Sequence, residues 1–349
     1  MATNEMLNVG IMGASGYAGA ELLSFLLFHP KVKICFISAH EQAGKPLVAV
    51  HPQFRRLCEL EFQHHKEIAN DQVQQNLDLI FMALPHGYSQ KYVSLIDKNI
   101  KIIDLGADYR IKDEAIFQEY YHMPHQDPQA LSNFVYGLSE INRKIIEPST
   151  RIANPGCFAT AVQLAMIPLL REGMIDQQII IDAKTGSSGS GITTKKTTHH
   201  PFRASSFYAY KMLSHQHEAE ILQTFSHYGY GDPDQFVMQV HSLPLVRGIF
   251  ASCYCRVKSG ITKKHIRQAF INSYQESYFI RLIDESPNVS TVQHSNFADL
   301  SFHLKDRNLV VFSAIDNLVK GAAGQAIQNM NLMSKWEEHL GLNRAGGGP

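Results

Sequence analysis

Apolar positions follow two rhythms along this chain. Leu7–Met12 is a short unbroken apolar run that stops at the turn Gly13-Ala14-Ser15-Gly16-Tyr17-Ala18-Gly19. From Ala20 the apolar residues recur at helical spacing (Leu22, Leu23, Leu26, Leu27) until His29-Pro30 ends the helix. A second strand is expected over residues 33–38, and buried strands over 77–84 and 101–105, with a helix over 89–98 between them. Strands alternating with helices at this spacing predict a parallel sheet covered on both faces. Beyond residue 150 the rhythm changes. A strand over 178–183 leads into a long Gly/Ser/Thr-rich loop, 185–206, and residues 235–243 and 250–257 alternate in the antiparallel manner. The helix Lys263–Tyr274 follows, then a hairpin turn at 305–308 between 303–304 and 309–314. A last helix is expected over 322–333, and the tail 344–349, with nothing to bury, is expected to be disordered. No internal repeat is present.

Composition narrows the class. With 349 residues, 44% hydrophobic and 18% charged, the chain can bury a core and exceeds what one core usually organises. Lys+Arg and Asp+Glu are both 32, so no net field attracts a polyanion, and nucleic acid is not expected as a partner. No apolar run reaches the ~18 residues of a membrane helix, and the opening residues 1–5 are too polar for a secretory leader. Five cysteines without a CxxC pair are too sparse for a disulfide framework or a zinc site, so no metal is expected and the compartment reads as a reducing cytoplasm. Cys253 and Cys255 would share one strand face.

Two places carry chemistry. Three glycines alone suit any strand–helix turn. Following a strand and opening a helix, Gly13, Gly16 and Gly19 let the backbone approach a pyrophosphate at a helix N-terminus. Ser15, Tyr17 and Ala18 belong to the same cradle. Strand two ends Phe36-Ile37-Ser38-Ala39-His40, with no carboxylate until Glu41. The Ser38 hydroxyl can donate to a 2′-phosphate that a carboxylate would repel, which favours NADP over NAD. The second place is Asn154-Pro155-Gly156-Cys157, which runs into a helix with Phe158, Val162, Ala165, Met166 and Leu169 on one face. A thiol at that helix start is favoured as thiolate, and hence as nucleophile.

The stretch IANPGCFATA at residues 152–161 resembles the active-site signature of the N-acetyl-gamma-glutamyl-phosphate reductase family. The resemblance continues through GASGYAG (13–19), DLGADYR (104–110), YGLSEINR (136–143), DAKTGSSGSG (182–191), HQHEAEI (215–221) and DNLVKGAAGQAIQNMN (316–331). It implies an α/β fold like that of aspartate-semialdehyde dehydrogenase. A Rossmann-type NADP domain, 1–155 with 316–349, would be completed by the C-terminal helix, with an α+β catalytic and oligomerisation domain, 156–315, inserted. It implies reduction of an N-acylglutamyl phosphate in the third step of arginine biosynthesis, with release of inorganic phosphate, by a soluble homodimer or homotetramer. Cys157 is then the nucleophile and His215 or His217 the proton carrier, spacing alone leaving both open. Arg110 and Arg247 are expected as anion anchors, with Asn154 and Glu220 on the substrate side. Ser187, Gly189 and Asn317 are expected at the cofactor. Ala39 stands where the family often has a basic residue. The His-rich insert 192–203 resembles the branch linked to N-succinyl intermediates, so an N-succinyl substrate stands beside N-acetyl. Aspartate-semialdehyde dehydrogenase and a non-catalytic nucleotide sensor are the other readings.

Overall fold

The computed structural model describes residues 6–176 and 178–348. The opening residues 1–5 and Pro349 lie outside them. The chain divides into two compact units, one of residues up to 155 with 322–343, the other of 156–321 with 344 onward.

The first unit is built on seven strands: β1 Leu7–Met12, β2 Val32–Ala39, β3 Gln63–His64, β4 Leu79–Met82, β5 Lys101–Asp104, β6 Val135–Tyr136 and β7 Arg151–Ala153. Their spatial order is β3-β2-β1-β4-β5-β7-β6, and every neighbouring pair is parallel. β1, β4 and β5 are short and wholly apolar at the centre because both faces are covered. The helix expected over 89–98 is only Gln90–Val93. Beyond it the chain turns at Asp97, whose carboxylate accepts from Asn99 N at 2.8 Å while its own amide donates to Gln74. The C-terminal helix Gly324–Met333 is buried on every side. Its polar residues are held inside the unit: Asn329 donates to Gly137 O at 2.8 Å, and Asn331 Oδ1 lies 3.1 Å from His29 Nε2.

The second unit has strands β8 Ile179–Thr185, β9 Tyr208–Tyr210, β10 Phe236–Ser242, β11 Ile249–Arg256, β12 Ile280–Leu282, β13 Ala298–Lys305 and β14 Asn308–Ile315. The order is β12-β13-β14-β11-β8-β10-β9. β10 and β11 are therefore not neighbours. β8 lies between them, parallel to β10 and antiparallel to β11. The helix Cys157–Arg171, buried from Phe158 to Leu170, packs on the β11–β14 part of this sheet. The boundary expected at residue 316 falls instead at 321, because Asp316 is paired with Arg247 and Gly321 N donates to Asp316 O at 2.9 Å. The tail is also not loose. Gly347 N donates to Gln293 O and Gly348 N to Ser290 O. Gly346 approaches Thr291 so closely that a Cβ would lie 1.9 Å from its carbonyl oxygen. Side chains the tail lacks are what permit that approach, so burial patterning does not register it.

Candidate active site

In the first unit, the turn after β1 is shaped by close backbone contacts. Gly13 has φ +78°, and a Cβ there would meet Ala83 O at 2.2 Å; a Cβ on Gly19 would meet Gly13 O at 2.5 Å. Gly13 N and Ala14 N both donate to Ser38 O at 3.0 Å, which ties the turn to the end of β2. Gly16 N-caps the helix Tyr17–Leu26, with no side chain capping it and no acid in its first turn. The first-turn amides therefore remain available to an anion. Ser15 and Ala18 are half-buried and Tyr17 is exposed along this opening. This cradle fits a pyrophosphate.

Two expected site residues of this unit are otherwise engaged. Arg110 is buried, its Nε donating to Asn154 O at 2.8 Å and Nη2 to Leu105 O at 2.7 Å. The Asn154 amide donates to Ala322 O and accepts from Asn329. Both fasten the ends of β5 and β7, because a buried guanidinium or amide must satisfy its donors where it lies. They do not present an open anion fork here.

In the second unit, Cys157 is the first residue of its helix, after Gly156. Glu220, buried in the helix His217–Ser226, accepts from Gly156 N at 2.7 Å. The imidazole of His217 lies flat against Gly156, such that a Cβ there would be 2.3 Å from Nε2. On another side a Cβ on Gly321 would be 2.6 Å from Cys157 Cβ. Gly321 belongs to the π-helical turn Val319–Ala323, a local distortion often found at functional sites. His215 stands one layer back. Its Nδ1 accepts from His217 N at 3.2 Å, and its ring meets those of His217 at 4.7 Å, Phe158 at 5.2 Å and Tyr210 at 6.0 Å. Burial, helped by the Lys211 charge, pushes His215 down to about 3. His215 is neutral and enclosed, and His217 is the ring that packs on Gly156, the residue before Cys157. Tyr210 was not singled out in the sequence. Burial first, then proximity to the ionisable thiol of Cys157, raises its phenol well above the usual range. The alternation Tyr208-Ala209-Tyr210 at a loop end is its only sequence signal.

Ser187 and Gly189 lie in the turn Ser187–Ser190, where Ser187 N donates to Leu245 O and Ser188 N to Val246 O. Asn317 joins them: its Nδ2 donates to Ser188 Oγ at 3.0 Å and its Oδ1 accepts from Gly248 N at 2.7 Å. Arg247 departs from the anchor expected. Its Nε and Nη2 grip both oxygens of buried Asp316 at 3.0 and 3.3 Å. That carboxylate also accepts from His294, Leu318 and Val319 amides. The planar fork has found a carboxylate of the chain itself, and so positions the segment from Asp316 to Gly321.

Residues 8–149 match the family model "Semialdehyde dehydrogenase, NAD binding domain", and residues 157–317 match "Semialdehyde dehydrogenase, dimerisation domain". N-acetyl-gamma-glutamyl-phosphate reductase of Halothermothrix orenii is 40% identical over 98% of this chain and 99% of its own. The enzyme of that name from Methanosarcina barkeri is 38% identical over 97% and 98%. The chain belongs to the N-acetyl-gamma-glutamyl-phosphate reductase family. Among solved structures, Vibrio cholerae aspartate semialdehyde dehydrogenase II complexed with ASA superposes with TM-score 0.71 at 16% identity, covering 95% of this chain and 99% of that one. Aspartate semialdehyde dehydrogenase with NADP from Candida albicans gives 0.65 at 14%. These neighbours share the fold of the reductase family. Within that family frame, Cys157, His217 and Glu220 converge on Gly156, and Ser187, Gly189 and Asn317 form a second cluster.

Proposed function

We propose that this reductase family member reversibly converts an N-acyl-gamma-glutamyl phosphate, N-acetyl in the leading case, to the 5-semialdehyde with release of phosphate, in arginine biosynthesis. The observation that carries the reading is Cys157 at its helix start, with His217 packed on the preceding glycine. The Cys157 thiolate attacks the acyl carbon, the carbon–oxygen bond to phosphate breaks, and a thioester remains. A bound nicotinamide dinucleotide, cradled by the glycine turn, would supply hydride for reduction of this thioester; the lack of a carboxylate at the end of strand two favours NADP, the Ser38 hydroxyl itself being buried 2.8 Å from His65 Nδ1. Cys157 then leaves as thiolate while the carbonyl re-forms, and His217 carries the proton on the substrate oxygen. Glu220 holds Gly156, and through it the start of the helix. Ser187, Gly189 and Asn317 serve the cofactor side. The enzyme works as a cytoplasmic homodimer or homotetramer.

The test is the phosphate-dependent oxidation of N-acetyl-, N-succinyl- and unacylated glutamate semialdehydes and of aspartate semialdehyde, with NADP as acceptor. The N-acetyl compound is expected to give the highest kcat/KM. Preference for N-succinyl would change the acyl group, and preference for aspartate semialdehyde would overturn the substrate class.

A further inference from the structure

One buried cation has no part in the chemistry above. Arg203 closes the helical turn His200–Arg203 of the insert, its amide donating to His199 O at 2.9 Å, and its side chain is buried. Nη2 donates to Leu243 O, just past the end of β10. Nη1 is enclosed and has no acceptor among the described residues. A guanidinium keeps its charge inside a protein, so an enclosed donor left unpaired is costly. Arg247, Arg281 and Arg307 are each paired with a carboxylate of the chain, and Arg110 with two carbonyls. Among the described residues no carboxylate pairs with Arg203.

The guanidinium stands at the C-terminal ends of β8 and β10. Leu243 N donates to Thr185 O at 2.9 Å and Ser187 N to Leu245 O at 2.8 Å, so the Leu243 carbonyl lies where β8 gives way to the Ser187–Ser190 turn. The insert then folds back on β9. Phe202 meets Tyr208 edge to face at 6.0 Å, and Tyr210 pairs with Val240 of β10. Tyr210 leads on towards the nucleophile, its ring 6.0 Å from that of His215, which meets His217 at 4.7 Å. After burial, the charges that act on the Tyr210 phenol are those of Cys157, Tyr208 and Arg203. Tyr210 is therefore within reach of both the thiol and the guanidinium. The turn that carries Arg203 is not packed solid on its other side, where Lys195, His199, Pro201 and Phe202 are among the walls of an open cavity of about 670 Å³. It has room to yield as a small anion reaches Nη1.

We infer that Arg203 binds the α-carboxylate of the N-acylglutamyl substrate, with Nη1 and the second hydrogen of Nη2 as the fork. The inference rests on the substrate reading proposed above. That substrate carries two anions. Its phosphate sits on the carbon that Cys157 attacks, whereas its α-carboxylate lies at the far end of the glutamyl chain, which suits a cation reached from the thiol through Tyr210. The carboxylate is planar and matches the fork. It supplies the acceptor that Nη1 lacks and leaves the Leu243 bond in place. Folding has already stripped the guanidinium of water, so binding has only the carboxylate left to desolvate. N-acetyl and N-succinyl substrates share this carboxylate, and Arg203 therefore selects the glutamyl end without choosing the acyl group.

The experiment compares two aldehydes in the phosphate-dependent direction with the full-length protein. One is N-acetylglutamate semialdehyde; the other is N-acetyl-gamma-aminobutyraldehyde, the same molecule without the α-carboxylate. The wild type is expected to prefer the first in kcat/KM by about 100-fold or more. Arg203→Gln should lower kcat/KM for the carboxylate compound about 100-fold while changing that for the other less than about threefold. Arg203→Lys keeps the charge without the fork and should fall between. KM for inorganic phosphate should stay within about twofold of wild type in both variants. Thermal melting confirms that each variant folds. An equal loss on both aldehydes would make Arg203 a clamp on the insert and overturn the inference, and so would a loss confined to the KM for phosphate. Equal kcat/KM of the wild type for the two aldehydes overturns it without any variant. A folded wild type that oxidises neither aldehyde would instead overturn the substrate reading on which the inference rests.

Discussion

Cys157 and the two histidines near it divide the work by position. Cys157→Ser removes the atom that forms the thioester and leaves every residue of the glycine turn in place. Turnover is expected to disappear while NADPH affinity, measured by fluorescence titration, stays within about twofold of wild type. Residual activity within tenfold of wild type would contradict covalent catalysis. His217→Asn should lower kcat by roughly 10²–10⁴, the range for loss of a general acid–base group. His215→Asn should cost less, because it removes an orienting ring. The sign of the His215 shift adds a stability consequence. Its folded-state pKa of about 3 lies below the ordinary 6.5, so the unfolded chain binds the extra proton between these values. Its contribution to stability is complete above about pH 6.5 and is lost as pH falls towards 3. His215→Phe should flatten that part of the denaturation midpoint profile, and an unchanged slope would show the ring is not enclosed. At β2, Ser38→Asp should reverse the NADP preference in kcat/KM by repelling the 2′-phosphate and accepting from a 2′-hydroxyl. Retained NADP preference would mean the ribose is read without residue 38.

At the scale of elements, the sequence was most legible where packing and local geometry agree. β1, its glycine turn and the following helix could be read because close backbone approach demands glycine, and the Cys157 helix because Pro155-Gly156 marks its start. Less local features stayed hidden. The two-residue strands β3 and β6 carry no periodicity, and β8 separates β10 from β11 through pairing between distant segments. Arg110 and Asn154 were legible as polar residues but not as buried ones, and neither they nor half-buried Arg247 showed that their partners lie within their own unit. Gly321 shows the same limit, since only the folded turn reveals its contact with Cys157. Gly321→Ala is expected to push a methyl into Cys157 Cβ, which at 2.6 Å has no room for it. The predicted result is a folded protein whose kcat and rate of iodoacetamide alkylation at Cys157 both fall by about tenfold or more, as a misplaced reacting atom costs. Wild-type alkylation would show that the turn yields instead.

For the molecule as a whole, the second crossing between the units falls at residue 321 where the sequence reading put it at 316, the Arg247–Asp316 pair keeping that segment with the second unit. The tail was not legible, because its contacts are made by glycine backbone. The second sheet points to assembly. One face is covered, with Ile181, Ala183, Met238, Ala251 and Cys253 all buried, and the Cys157 helix packs on its β11–β14 part. The other is open and partly apolar. Tyr254 and Ile180 sit directly opposite each other in the β8–β11 pair and are 43% and 42% exposed, and the rings of Phe250 and Phe312 meet at 5.6 Å. Such a surface on a sheet is costly to leave in water, and the family model matched by this unit is a dimerisation domain. We expect the sheet face to be buried against a second copy of the chain. Placing glutamates at both Ile180 and Tyr254 sets like charges side by side on one face, and again across a two-fold interface, where each must be desolvated. The double variant should elute as a monomer in light scattering at concentrations where the wild type is a dimer or tetramer. NADPH affinity should persist, since the glycine turn belongs to the other unit. A folded double variant that keeps the wild-type mass would place the oligomer interface on a different surface.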